Sequence, residues 1–147
     1  LGKYNLVSSI AAQWQNMEQL YDLATTYPKI LIVLDHAGFP DERNSTYFEN
    51  WKNGLKLISR LDNVVCKISG LGMGDNHWTV ESIRPYVETC IELFGYERAL
   101  FASNWPIDSL WSSYETLINA YRSITQNYSE KEKESLFSRN AEIIYGI

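Results

Sequence analysis

The stretch Ile30-Leu31-Ile32-Val33-Leu34-Asp35-His36 decides the interpretation of the fold. Its first five residues are a continuous run of β-branched and leucine side chains without polar alternation. Such a run is typical of a strand that is buried on both faces. An Asp-His pair ends the run, and Gly38 and Pro40 mark a turn just beyond it. We therefore predict a strand of a parallel sheet with polar side chains at its carboxyl end.

A unit of one short apolar strand followed by one helix occurs four times along the chain. The predicted strands end near Ile10, Leu34, Ile68 and Ala102. The polar residues after the last three strands are spaced 33 and 34 residues apart, at His36, Ser69 and Ser103. Helical periodicity and capping residues predict helices over residues 15–27, 46–61, 80–94, 109–125 and 130–137. The chain is thus predicted to be an α/β protein with a parallel sheet.

Two α/β architectures fit this regular spacing equally well, a doubly wound sheet and half of a (β/α)8 barrel. A complete barrel takes about 250 residues, and the 147 residues present hold four strand–helix units. The nucleotide-binding version of the doubly wound sheet is disfavoured because no G-x-G-x-x-G follows the first strand. In either case the length predicts a single domain over residues 1–147.

Composition excludes several classes of protein. With 45% hydrophobic and 21% charged residues, the chain has the balance of a globular domain. A net charge of −5 is unfavourable for binding nucleic acid, and no apolar run reaches the roughly 18 to 20 residues that span a bilayer. Cys66 and Cys90 lie in apolar patterns and form no metal-binding spacing with the two histidines. We expect both in the core, in the reducing setting of a cytoplasmic protein.

The candidate site lies beyond the carboxyl ends of the strands, where α/β proteins bind ligands. An imidazole at His36 can donate to a substrate carbonyl, bind a metal or transfer a proton, or it simply caps the turn before Gly38. After the fourth strand, the stretch Ser103–Asp108 brings together an amide, an indole and a carboxylate. Asp108 either belongs to the site or caps the following helix.

The third predicted strand and the loop after it each have a feature with two possible interpretations. Lys67 interrupts the apolar run of residues 64–68, so it either neutralises a carboxylate or extends its charge out between the layers. The loop of residues 70–78 is glycine-rich and long for a strand–helix connection, and it carries Asp75 and His77. A loop of this kind is either a wall of a binding site or a solvated surface segment.

Four stretches in order resemble the amidohydrolase-related (amidohydrolase 2) family: Ile32–Pro40, Asn63–Leu71, Phe94–Pro106 and Asn140–Gly146. Relatives in that family include 2-pyrone-4,6-dicarboxylate lactonases and L-fuconolactonases. The resemblance covers nearly the whole chain and implies the C-terminal half, strands five to eight, of a (β/α)8 TIM barrel. The family's H-x-H motif has no counterpart here, and the chain opens with Leu1 rather than Met, so we expect a fragment.

The resemblance implies hydrolysis of a cyclic ester or amide, foremost a lactone of a sugar acid or a carboxylated ring. In that chemistry a strand-end histidine polarises the carbonyl, and an aspartate takes a proton from the attacking water. His36 matches the histidine. Asn104 stands at the aspartate position. Either Asp108 takes the role of the base, or the protein uses other chemistry, or the site is inactive. A divalent metal occurs in relatives, but the residues of this chain do not support one.

We also predict substrate contacts from three side chains, Ser69, His77 and Trp105. The competing hypotheses are a non-enzymatic half-barrel that needs its missing half and a self-contained doubly wound binding domain. Half a barrel exposes two strand edges and an apolar interior. We therefore expect its partners to be a small-molecule substrate and either a second copy of the chain or the missing N-terminal half.

Overall fold

A parallel sheet with sequential strand order forms the centre of the computed structural model, which describes residues 1–4 and 6–147. Within these residues it has four strands, β1 (Ser8–Ile10), β2 (Ile32–Leu34), β3 (Val64–Ile68) and β4 (Ala99–Phe101). In the register Leu34, the last residue of β2, pairs with Ile10 and Cys66, and β3 runs two residues further to Ile68, which pairs with Phe101 at the end of β4. The order β1-β2-β3-β4 confirms the prediction for half of a barrel and overturns the doubly wound alternative.

The helices follow the strands much as the periodicity predicts. They are α1 (Met17–Thr26), α2 (Ser45–Ile58), α3 (Val80–Phe94), α4 (Tyr114–Ile124), α5 (Glu130–Glu134) and α6 (Asn140–Tyr145). The bounds of α3 are those predicted, because a reciprocal capping box of Thr79 and Ser82 fixes its start and Gly95 ends it. Among the helices of the described residues, none is long and apolar enough to cross a membrane.

The start of α4 differs from the prediction, which placed the helix from residue 109. Residues Ile107–Leu110 form a 3-10 turn, and α4 begins only at Tyr114. The Ser113 side chain accepts a hydrogen bond from the Thr116 amide and so supplies the N-cap. The side chain of Asp108 therefore does not cap this helix and is available for another contact.

The C-terminal helical segment is longer than the predicted helix over residues 130–137. After α5 the chain passes through a π-helical turn (Ser135–Arg139) directly into α6, which ends at Gly146. The Asn140 amide nitrogen donates to the carbonyl oxygens of Tyr96 and Ala99, at 2.7 Å each. These two bonds fix the segment to the start of β4.

The two faces of the sheet differ in what covers them. On one face Leu34, Cys66 and Phe101 pack into the large core, together with residues of α1 to α4. Both cysteines are fully buried in this core, as predicted. The other face carries the alternate strand positions, where Val33, Val65 and Leu100 form a smaller cluster that is contacted by α6. In a closed barrel this second face lines the interior.

Candidate active site

Three predicted site residues meet at the carboxyl edge of the sheet. The His36 Nδ1 and the Ser69 Oγ are 2.9 Å apart. A methyl group placed on Gly70 would lie 2.9 Å from the His36 Nδ1 and 3.2 Å from the Asn104 Nδ2. The imidazole and the amide therefore both lie close to Gly70. The same methyl group would lie 2.6 Å from the Met73 Cε, so only a glycine fits at position 70, and its φ of +66° is one that glycine adopts without strain.

A left-handed turn directly after β2 presents the imidazole. The residues His36–Phe39 all have positive φ, between 51° and 70°, which is strained for those other than Gly38. Two side chains of α2 hold the turn. The Trp51 indole donates to the Ala37 carbonyl at 2.7 Å, and the Tyr47 hydroxyl donates to the Phe39 carbonyl at 3.0 Å. The sequence gave no signal for this turn.

The environment of His36 favours the neutral imidazole. Its ring packs edge-on against Phe39, with ring centroids 4.9 Å apart. Burial lowers the pKa of His36; the charge of Asp35 raises it, and the charge of Lys67 lowers it. The balance is a lowered pKa. At neutral pH the ring is therefore a proton acceptor and a neutral hydrogen-bonding group.

Asp108 lies behind Asn104 and binds to it. The Asn104 Nδ2 donates to the Asp108 Oδ1 at 2.9 Å. Asp108 is only 1% exposed, and its Oδ2 has no hydrogen-bond partner among the described residues. Burial raises the pKa of Asp108, and the bond from Asn104 opposes that shift. The carboxylate therefore fixes the orientation of the amide from behind.

A charged pair lies beside this site. The Asp35 Oδ1 accepts hydrogen bonds from the Ser9 Oγ at 2.7 Å and from the Lys67 Nζ at 2.6 Å. Burial disfavours the charged form of Lys67, but the hydrogen bond and charge of Asp35, with a smaller contribution from Tyr145, outweigh it and raise the pKa of Lys67. Of the two alternatives for Lys67, the structure has it neutralising a carboxylate. Sequence reasoning missed Ser9, which carries no motif.

The other two predicted contacts, Trp105 and His77, lie outside this cluster. Trp105 follows Asn104 directly, is 42% exposed and packs edge-on against Tyr114. His77 is exposed on the loop between β3 and α3. In the described part of the chain it makes no hydrogen bond with His36 or Asn104.

Comparison with known proteins now identifies the family. The sequence profile described as Amidohydrolase matches residues 1–147. The chain belongs to the amidohydrolase family. A protein of Sinorhizobium fredii, the uncharacterized protein y4mH, is 47% identical over 134 residues, which are 91% of this amidohydrolase chain and 44% of that protein. The L-fucono-1,5-lactonase of Burkholderia multivorans is 29% identical over 128 residues, covering 79% of the chain and 43% of the lactonase.

Solved structures of amidohydrolases have the same fold. An amidohydrolase from Burkholderia multivorans with bound zinc superimposes with a TM-score of 0.93 at 24% identity, over 100% of this chain and 55% of that one. A protein of Pseudomonas putida described as a 2-pyrone-4,6-dicarboxylic acid hydrolase gives a TM-score of 0.79 at 20% identity, over 99% and 53%. The chain thus spans less than half of the curated relatives and about half of these structures, in agreement with half of a TIM barrel.

The donor set of this amidohydrolase chain does not fit a metal ion. Within residues 1–4 and 6–147, no three His, Cys, Asp or Glu side chains lie close enough together to hold one. The nearest candidates are His36, whose Nδ1 contacts Ser69, and Asp108, which is buried behind an uncharged amide. We assign no step of the chemistry below to a metal.

Proposed function

We propose that this amidohydrolase opens a lactone ring, that of a sugar acid or of a carboxylated ring, by hydrolysis. One observation carries the proposal: an imidazole and a primary amide, those of His36 and Asn104, lie together beside Gly70 at the carboxyl edge of the sheet. The lactonase activity of two curated relatives, both L-fucono-1,5-lactonases, supports the choice of a cyclic ester.

His36 is the proposed general base. Its lowered pKa leaves the ring neutral at pH 7, so the Nε2 can take a proton from the attacking water. The contact of its Nδ1 with Ser69 holds the ring in one orientation. Attack of the hydroxyl on the carbonyl carbon then breaks the ring C–O bond. The proton on the imidazole returns to the ring oxygen, which leaves as the hydroxyl of the product acid.

Asn104 is the proposed donor to the carbonyl oxygen. One N–H of its amide is bonded to the Asp108 Oδ1, and the second N–H is free to stabilise the negative charge that develops on the substrate. An amide has no titratable group, so Asn104 cannot serve as the base. Asp108 is buried, and we propose that it acts through Asn104 by fixing the direction of the amide.

The proposed substrate contacts beside the reacting carbonyl are Trp105 and His77. The indole of Trp105 is exposed next to Asn104 and offers a flat apolar surface to one face of a lactone ring. His77 lies exposed on the loop that follows β3, and we propose that it contacts the substrate from this loop. Both side chains are proposed to set the choice of substrate and not the chemical step.

The test is hydrolysis of a lactone panel by the full-length protein and its Asn104→Ala variant. The panel holds L-fucono-1,5-lactone, other sugar-acid lactones and 2-pyrone-4,6-dicarboxylate, and a pH indicator follows the acid released. We expect at least one lactone to be opened, and Asn104→Ala to lower kcat by about 10²- to 10³-fold, the usual effect of losing one oxyanion donor. The exposed Asn119 of α4 provides the matched control, Asn119→Ala, which should retain the wild-type rate.

Two results would overturn the proposal. If no lactone of the panel is opened, the half-barrel is better explained as a non-enzymatic protein. If a lactone is opened and Asn104→Ala keeps the rate, the amide has no part in the chemistry. The variants Asp108→Asn and Asn104→Asp refine the roles. Asp108→Asn should lower kcat less than Asn104→Ala does, because it keeps an oxygen that accepts from the Asn104 amide. New activity in Asn104→Asp would indicate a degenerate hydrolase.

A further inference from the structure

The charged pair of Asp35 and Lys67 joins three neighbouring strands at their carboxyl ends. Asp35 directly follows β2, Ser9 lies on β1 and Lys67 lies on β3, and one carboxylate oxygen accepts from both. The side chains of Lys67 and Asp35 are 20% and 19% exposed, so neither charge is fully solvated. Ser9 and Lys67 share their sheet face with Val33, Val65 and Leu100, which places the pair on the inner face, next to the site.

We propose that Lys67 and Asp35 are positioning residues, in which Lys67 cancels the charge of Asp35 and thereby keeps the adjacent His36 neutral. This inference rests on the proposed function because it concerns the base named there. It assigns to Lys67, which touches neither the imidazole nor a substrate in the proposed mechanism, a role in the protonation state of the site.

The reasoning follows from the groups around His36. The charges that act on it are those of Asp35, its neighbour in sequence, and of Lys67 on β3, and the neutral hydroxyl of Ser69 lies 2.9 Å from its Nδ1. The groups beyond β4 are the uncharged Asn104 and, behind it, the carboxyl of Asp108. An unpaired carboxylate next to an imidazole stabilises the imidazolium form. Because Lys67 lies 2.6 Å from Asp35, the two charges offset each other, and burial then favours the neutral ring.

Removing one charge at a time separates this role from a purely structural one. Lys67→Met leaves Asp35 unpaired, so the imidazole should hold its proton more tightly. Asp35→Asn leaves the ammonium unpaired, so the imidazole should release its proton more readily. Lys67→Arg keeps the charge, and the double variant removes both charges. A pair that merely ties the strands together would change the melting temperature in these variants without opposite effects on the imidazole.

The experiment is an NMR titration of the His36 imidazole in the full-length protein, assigned by the signal that His36→Gln removes. In the wild type we expect a pKa below the ordinary value of 6.5. Lys67→Met should raise the pKa of His36 by about one unit, Asp35→Asn should lower it, and the double variant and Lys67→Arg should lie near the wild type. Lys56 is exposed near the end of α2, away from the site, and Lys56→Met is the control that should leave the titration unchanged.

The inference is overturned if Lys67→Met leaves the His36 titration unchanged or lowers its pKa in a protein that is still folded by circular dichroism. If Lys67→Met does not fold, the other two variants decide. The inference is then overturned if Asp35→Asn does not lower the pKa of His36 or if Lys67→Arg shifts it. Lactone turnover is measured separately. If no variant opens a lactone but the titration shifts as stated, the proposed function fails and this inference stands. If Asn104→Ala abolishes turnover but Lys67→Met leaves the His36 titration unchanged, the proposed function stands and this inference fails.

Discussion

Asp108 places a carboxyl group where its charge is poorly solvated. It is 1% exposed, one oxygen binds Asn104, and the other has no partner among the described residues. Burial therefore raises its pKa above the ordinary value of 3.8. A raised pKa means that the folded state binds the proton more tightly than the unfolded chain. The stabilisation is complete below the unfolded pKa and is lost as the pH rises through the folded one.

The raised pKa of Asp108 predicts how Asp108→Asn changes the pH dependence of stability. An asparagine does not titrate, so the variant escapes the loss that the wild type undergoes as the pH rises. The free energy of unfolding of the variant, relative to the wild type, should increase between about pH 3 and pH 7. Urea denaturation of the full-length protein at several pH values measures it. The exposed Asp22→Asn is the control, and a difference for Asp108→Asn that is independent of pH would contradict the account.

At this scale the sequence predicted which residues come together but not how they are held. His36, Ser69 and Asn104 were predicted at one edge because each follows a strand of regular spacing. The left-handed turn at His36–Phe39 could not be predicted, since three of its four residues are not glycine. The orientation of Asp108 was also out of reach, because it depends on a 3-10 turn that has no clear local signal.

Helix α2 supports the site from a distance. The fully buried Trp51 donates to the Ala37 carbonyl, inside the left-handed turn that presents His36. A turn with strained φ values persists only where its surroundings enforce it. The position of the His36 imidazole thus depends on a hydrogen bond from the core of the molecule.

Trp51→Phe should therefore weaken both the turn and the site. The change keeps an aromatic ring but removes the indole N–H, which leaves the buried Ala37 carbonyl without this donor and costs about 1 to 3 kcal/mol. We expect a lower melting temperature and a fall in lactone turnover larger than the loss of folded protein explains. The ring of Tyr86 packs against that of Trp51, with centroids 5.1 Å apart, so Tyr86→Phe is the matched control. Equal turnover in the two variants would show that the turn does not need the indole.

Elements with local signals were predicted best. The bounds of α3 agree with the prediction because its capping box and terminal glycine are neighbours in sequence. The start of α4 was wrong because helical periodicity runs on into the 3-10 turn before it. The π-helical turn at Ser135–Arg139 was not predicted. It directly precedes Asn140, whose side chain is bonded to the start of β4, and tertiary contacts of this kind leave no local pattern in the sequence.

At the scale of the whole molecule, the sheet ends in two edge strands, β1 and β4. Large apolar side chains are exposed near both ends of the chain, at Leu1, Tyr4, Leu6, Ile143 and Ile147. The spacing of strand ends predicted the parallel sheet, but it fitted a doubly wound order as well. Only the complete order, in which β2 pairs with β3 and β3 with β4, decided for the half-barrel, because pairing is a tertiary property that spacing does not specify.

We expect the 147-residue chain, expressed by itself, to associate with further copies through these edges and apolar side chains. Sedimentation velocity at micromolar concentration should show species larger than a monomer. Ile143→Lys, on the exposed side of α6, should weaken the association, whereas Asn119→Ala on the exposed side of α4 should not. A monodisperse monomer of the unmodified chain would contradict this expectation.

The most direct test of the central claim compares lactone hydrolysis by the full-length protein with hydrolysis by its His36→Ala variant. The claim is that the imidazole at the end of β2 performs the chemistry at a mouth shared with Asn104. We predict that a sugar-acid lactone is opened with release of acid, and that His36→Ala lowers kcat by about 10²-fold or more while the protein stays folded. Turnover that is retained in folded His36→Ala would contradict the claim, because His36 would then be a turn residue and no catalyst.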